Sequence, residues 1–165
     1  MGARPLMVRP LTAEAFAPYG DVVTSEGREG RLVNAGTSVR VEMPAPDVLA
    51  NGGTPSLSVF RASATRLPIE VRALERHRIG SQTFLPLGGI SFVAVVALGD
   101  SAPDMQTLAA FLSDGMGITL RRDVWHHPLL SLVDGDFAVV ERHGSQPDCE
   151  IAELPCVDGV QLRFA

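Results

Sequence analysis

What this sequence has little of already narrows what it can do. Its 165 residues include one tryptophan, one tyrosine, four histidines and two cysteines, and carry a formal net charge of −5. A weakly acidic chain so poor in tryptophan and tyrosine lacks the basic patch and the stacking platforms that hold nucleic acid. Cys149 and Cys156 are too few for a disulfide framework and wrongly spaced for a structural zinc site. They are expected as reduced thiols in a cytoplasmic protein. Met1 to Pro10 holds no sustained apolar stretch of the signal-peptide kind. The longest apolar run, Ile90 to Leu98, is broken by Ser91 and too short to span a bilayer. Neither nucleic acid nor a membrane is an expected partner; a small molecule is.

What is present is ordinary globular material, 45% hydrophobic and 20% charged, of a length that suits one domain over 1–165. Short β-type runs separated by glycine and proline dominate. Val39–Glu42, Ser56–Arg61 and Leu67–Arg72 alternate in the two-residue period of a strand. Ser81–Leu85, Ile90–Leu98, Ile118–Leu120, Val124–His127, Leu129–Val133 and Phe137–Val140 follow. Turn signals stand at Leu87-Gly88-Gly89, Gly99-Asp100, Asp114-Gly115 and Asp134-Gly135-Asp136. Gly159 to Phe164 is a further strand candidate that would close a barrel or supply an interface. So many short strands argue for a closed barrel or sandwich. Two helices are expected: Ala13–Ala17 behind the N-cap Thr12, and Asp104–Ser113, where Met105, Leu108, Phe111 and Leu112 make an apolar stripe. The stretch 45–55 reads as a surface loop.

Chemistry-bearing residues fall in two clusters. In Glu75-Arg76-His77-Arg78-Ile79-Gly80-Ser81-Gln82, a strand would put Glu75 and His77 on one face. In Trp125-His126-His127-Pro128 adjacent histidines must face opposite sides, so only one looks inward. A carboxylate, two imidazoles and a carboxamide brought together suit proton transfer or metal binding. Against this stands the commoner fate of each residue: a structural histidine, or a surface ion-pair patch of Glu75 with Arg72, Arg76 and Arg78, worth little.

The spacing Glu75-x-His77-x4-Gln82-x6-Gly89, followed by Gly115 and His126, resembles the two motifs of cupins. Glu75 and Gln82 stand where the first histidine and the glutamate of a metal-binding cupin would be. A closer resemblance is to the ureidoglycolate lyase family within that fold. It is carried by LTAEAFAPYGDVV (11–23), NAG (34–36), SVFRA (58–62), LERHRIGSQTFLPL (74–87), FVAVVALGD with PD after it (92–104), RRDVWHHPL (121–129) and DCE (148–150), in family order over nearly the whole chain. The resemblance implies a mainly β, cupin-like jelly-roll barrel with a few short helices. It also implies cleavage of (S)-ureidoglycolate to glyoxylate and urea, the last step in recovering nitrogen from allantoin, by a cytoplasmic homodimer.

On that reading His77 or His126 is the base, and Glu75 orients it or, if burial raises its pKa, serves as acid. Gln82 holds the ureido amide. Arg61 or Arg40, and less strongly Arg122, bind the substrate carboxylate, and Trp125 walls the pocket. Glu75, His77, Gln82 and His126 are a weak ligand set for Ni2+, Mn2+ or Zn2+, an ion the reaction does not require. Thr119 and Leu120 depart from the family pattern, which leaves room for another small hydroxy acid or ureido compound as substrate. A non-catalytic cupin that binds a small carboxylate is the third reading.

Overall fold

The structure, a computed structural model, describes residues 4–154 and 160–164. The chain begins with β1 (Arg4–Pro10), the one-turn helix α1 (Ala13–Phe16) and β2 (Gly20–Val23). A hairpin of β3 (Arg31–Val33) and β4 (Ser38–Arg40) precedes the long β5 (Thr54–Ala62), and β6 (Ile69–Val71) and β7 (Ala73–His77) lead to β8 (Gln82–Pro86). Then come β9 (Ser91–Ala97), β10 (Ala109–Asp114), β11 (Gly117–Leu120), β12 (Trp125–His126), β13 (Leu130–Ser131), β14 (Gly135–His143), β15 (Cys149–Glu153) and β16 (Val160–Arg163).

These strands make two main sheets. A nine-stranded one runs β15-β7-β12-β9-β10-β1-β16-β6, with β13 also on β9, and a five-stranded one runs β2-β11-β8-β14-β5. Both curl into a half-barrel, so the mainly β, cupin-like expectation holds. No helix among the described residues is long and apolar enough to cross a membrane.

The two-residue period of β9 shows how the layers form. Phe92, Ala94 and Val96 point between the sheets, where they meet Phe84, Ile118, Leu120, Phe137 and Val139 of the smaller sheet. Val93, Val95 and Ala97 point the other way, into a second core with Leu74, Trp125, Leu154 and Leu162. A strand buried on both faces reads as an unbroken apolar run, as Ile90 to Leu98 does. Each fully buried Phe or Leu contributes about 1.5–3 kcal/mol. Within the inner core Phe92 and Phe137 meet edge to face with centroids 5.4 Å apart.

The same logic corrects one expectation. Asp104–Ser113 is not a helix: a turn at Asp104–Thr107 leads into β10, which pairs antiparallel with β9 and parallel with β1. Ala109 and Phe111 fill the inner core while Ala110 and Leu112 meet the outer one. Apolar side chains wanted on both faces leave the same mark as a helical stripe, and period alone cannot separate the two. The helix behind Thr12 does form, with Thr12 Oγ1 accepting from the Ala15 N–H at 3.1 Å. Of the C-terminal strand candidate, Val160–Arg163 joins the larger sheet between β1 and β6; Gly159, like Cys156, lies outside the described residues.

Candidate active site

The site grows from the place where the chain leaves one sheet for the other. β7 belongs to the nine-stranded sheet and β8 to the five-stranded sheet, and only residues 78–81 join them. That turn is fastened on two sides. Asp148 accepts from the N–H groups of Ile79 (2.6 Å) and Gly80 (3.0 Å), and the Asp47 carbonyl accepts from the Ser81 N–H at 2.9 Å. Gly80 is needed there, because a Cβ would come within 2.5 Å of the Arg142 Cβ. The last residue of β7 and the first beyond the turn are thereby held at one end of the barrel interior.

Register places the rest. His126 on β12 lies opposite Glu75 on β7 and Val96 on β9, so all three share the face that looks between the sheets. His77, two residues from Glu75, takes that face too, and its ring centroid is 5.5 Å from that of His126. One ligand atom from each of Glu75, His77 and His126 falls within 4.8 Å of the others. His126 is almost completely buried; its Nδ1 lies 3.0 Å from the Val124 carbonyl and its Nε2 3.6 Å from Glu75 Oε1. The carbonyl can only accept, so Nδ1 carries its hydrogen and Nε2 is the ring nitrogen that faces Glu75. His127 is turned away, its Nδ1 2.8 Å from the Pro128 carbonyl.

The electrostatics separate the members. The neighbouring His126 outweighs burial at Glu75 and holds its carboxyl below the usual range. Glu75 is thus a carboxylate near neutral pH, which corrects the idea that burial would make it an acid. Burial, then the neighbouring His126, pushes the His77 pKa below that of a free imidazole, so His77 is neutral near pH 7. Its Nε2 is buried and has no hydrogen-bond partner, as are the Nε2 of His126 and the Oε1 of Gln82. The arginines do not form the surface patch with Glu75: Arg72 bonds Glu70, Arg76 bonds Glu150, and Arg78 reaches Asp123 and Glu150.

Not every expected residue comes to this cluster. Trp125 is fully buried in the outer core, its Nε1–H donating to the Gly99 carbonyl and Arg76 stacked 4.2 Å from its ring. It precedes His126 in a strand and so must face the opposite way; it is a core residue, not a pocket wall. Arg61 lies at the far end of β5, paired with the exposed side of Asp136 at 3.1 Å. Five residue steps along β14 separate Asp136 from Glu141, the residue opposite Gln82, or about 17 Å of strand. Arg40 sits on the separate hairpin with Glu42 at 2.8 Å. Arg122 alone of the three stands near the rim, in the turn where the Asp123 N–H donates to the His77 carbonyl at 2.7 Å. Its Nη1 is 3.9 Å from Asp47.

Thr119 and Leu120, the two positions read from the sequence as unusual, also separate. Thr119 faces away from the inner core and shares a buried 2.9 Å hydrogen bond with Thr83. Leu120 faces inward, directly opposite Gln82, and borders the same small void as His126. Two residues near the cluster were not anticipated. Glu141 accepts from Gln82 Nε2 at 2.8 Å and lines a cleft of about 280 Å³ with His77 and Cys149. Cys149 lies opposite His77, its Sγ 3.8 Å from Glu75 Oε2, and burial raises its pKa first, the Glu75 charge second. Glu141 and Cys149 lie outside both clusters, and only strand pairing brings them to Gln82 and His77.

Comparison with known proteins gives the family. The family model described as ureidoglycolate lyase matches residues 3–159. A ureidoglycolate lyase of Burkholderia cepacia is 43% identical over 165 residues, covering 97% of this chain and 92% of its own. One from Pseudomonas entomophila (strain L48) is 43% identical over 92% and 93% of the two chains, and one from Azotobacter vinelandii is 40% identical over 89% and 90%. With a match of this extent, running through both strands that carry the histidines, the chain belongs to the ureidoglycolate lyase family.

Proposed function

We propose that the protein cleaves (S)-ureidoglycolate to glyoxylate and urea in the cytoplasm. The observation that carries this is His77: a neutral imidazole in the lining of a cleft, beside the Glu75–His126 pair, with a buried Nε2 that has no partner. The substrate carbon bears a hydroxyl, a carboxylate, a hydrogen and the ureido nitrogen. His77 Nε2 takes the hydroxyl proton; the O–H electrons become the carbonyl of glyoxylate, and the C–N electrons leave with nitrogen. The same proton passes from the imidazolium to that nitrogen and completes urea, so one residue serves as base and then acid. His126 and Glu75 keep His77 in place and electrostatically tuned, and Gln82 Oε1 is free to accept from the ureido N–H groups. Arg122 at the rim is the cation for the substrate carboxylate.

The donor set also fits a divalent ion, because two imidazoles, each with a buried Nε2 that has no partner, and a carboxylate each offer a ligand atom within 4.8 Å of the others. Glu75, His77 and His126 would hold it, and as a Lewis acid it would supply acidification of the substrate hydroxyl.

Urea and glyoxylate release from fresh ureidoglycolate, with chelator and with added Ni2+ or Mn2+, tests both states. Equimolar products that persist in chelator support the His77 proton shuttle. Loss in chelator and recovery with the ion assign the triad as ligands. No product above the spontaneous rate in any lane sinks the lyase reading. Activity on another small hydroxy acid or ureido compound would then follow from Leu120, the apolar side chain facing Gln82.

The proposal includes a homodimer. Leu57 and Val59 stand 74% and 60% exposed on the outer face of β5, apolar surface of the kind a second copy covers. Light scattering is expected to give about twice 17.6 kDa, and a monomer mass would refute it.

A further inference from the structure

The carboxamide of Gln82 has a fixed direction, and one residue sets it. Gln82 is buried, at the start of β8, between Leu120 on one neighbouring strand and Glu141 on the other. Its Nε2 donates to Glu141 Oε2 at 2.8 Å. The reverse amide orientation would set two acceptors face to face, so the carboxylate admits only this one. The consequence is that Oε1 points away from Glu141, buried and without a partner. Leu120 can offer it nothing. A buried carbonyl oxygen left without a donor is destabilising unless something else brings one. Glu141 itself lines the cleft onto which His77 opens, and its charge acts on His77.

We propose that Glu141 is a positioning residue that locks Gln82 as an acceptor-only contact, selecting substrates whose amide end presents N–H groups. This rests on the lyase reading for the identity of the substrate, the ureido NH2 being the donor that Oε1 lacks. Without the carboxylate the carboxamide flips freely, and half of its orientations meet the ureido NH2 with another NH2. The contact exists in the bound ground state as well as the transition state, so its loss falls on KM more than on kcat.

The experiment compares Glu141→Leu, Glu141→Gln, Gln82→Leu and the double leucine variant. Glu141→Gln keeps the volume and an acceptor, and guards against a variant that fails to fold. The Gln82 side-chain amide, identified by its absence in Gln82→Leu, is followed by 1H–15N NMR alongside KM and kcat. Glu141→Leu is expected to shift the Gln82 amide signal and expose it to solvent exchange. It should raise KM about 2- to 10-fold, from twofold for losing the orientation alone up to the worth of one neutral hydrogen bond to substrate. Glu141→Gln, which keeps an acceptor for the Gln82 NH2, should lose less than Glu141→Leu. In the double variant the loss should match that of Gln82→Leu alone, since Glu141 acts through Gln82. An unmoved amide signal with unchanged KM, or losses that multiply in the double variant, would overturn the proposal. If wild-type protein turns over no ureidoglycolate while the amide still answers to Glu141→Leu, the positioning role stands and the lyase reading falls.

Discussion

Replacing His77 by glutamine is expected to lower kcat/KM for ureidoglycolate by about 10²–10⁴-fold, the usual worth of a general base, with little change in melting temperature. His77 is half-buried at the cleft and its Nε2 holds up no other group, so its removal leaves the barrel intact. His126→Gln should be as damaging to the rate but for two reasons. His126 is buried and bonded to the Val124 carbonyl, and its loss strands the Glu75 carboxylate. An unpaired, partly buried charge destabilises, so this variant should also melt earlier.

The pH profile carries the same prediction. The His77 pKa is lowered, so the neutral base predominates above it and is lost as pH falls through it. The acid limb of kcat/KM should therefore lie below the usual imidazole value of about 6.5. Linkage has the same sign: an unfolded chain binds the proton more readily than folded His77 does, so acidification through that range destabilises the fold. Glu75, whose pKa is also lowered, adds to the loss at still lower pH. In His126→Gln the neighbouring imidazole no longer depresses His77, and the limb should move up. A His77→Gln enzyme with an unchanged rate and profile would place the base elsewhere.

Trp125→Ala should produce the largest loss of stability. The indole is fully buried among Leu74, Val95, Ala97 and Leu162, and Arg76 lies across its face. Removing a buried tryptophan costs about 3–5 kcal/mol, chiefly through the cavity left behind. In a chain of this length that lowers the melting temperature by roughly 10 °C or more. Arg76, whose exposure is 1%, would also lose the ring that shields its guanidinium. Trp125→Phe keeps an aromatic face and should cost less. Measured below its melting point, it should retain kcat/KM within about threefold, because the indole faces away from His126 and substrate binding needs none of it. A selective rise in KM in Trp125→Phe, without loss of stability, would return Trp125 to the pocket wall.

The β architecture and the two clusters were legible in the chain for a simple reason. Strand alternation and turn residues are local properties, and Glu75 and His77 share a face whatever the strand pairs with. Locality also explains the failures. For Leu108 to Leu112 the spacing was compatible with helix and with a doubly buried strand, and the choice fell to β9 and β1, which flank it. The apolar mark of Trp125 was visible, but whether it met substrate or core depended on which face of β12 turned inward. Arg61 and Arg40 carry the right charge for a carboxylate, yet strand register sends them to other parts of the molecule.

By itself the sequence determined the class of fold, the family, and the residue types available for proton transfer. Tertiary structure decided which of them meet. Pairing of β7 with β12 put Glu75 against His126, pairing of β8 with β14 put Gln82 against Glu141, and pairing of β15 with β7 brought Cys149 beside His77. Contacts between residues some fifty to seventy positions apart depend on register. Register is set by the burial of whole sheet faces, which no short window of sequence contains.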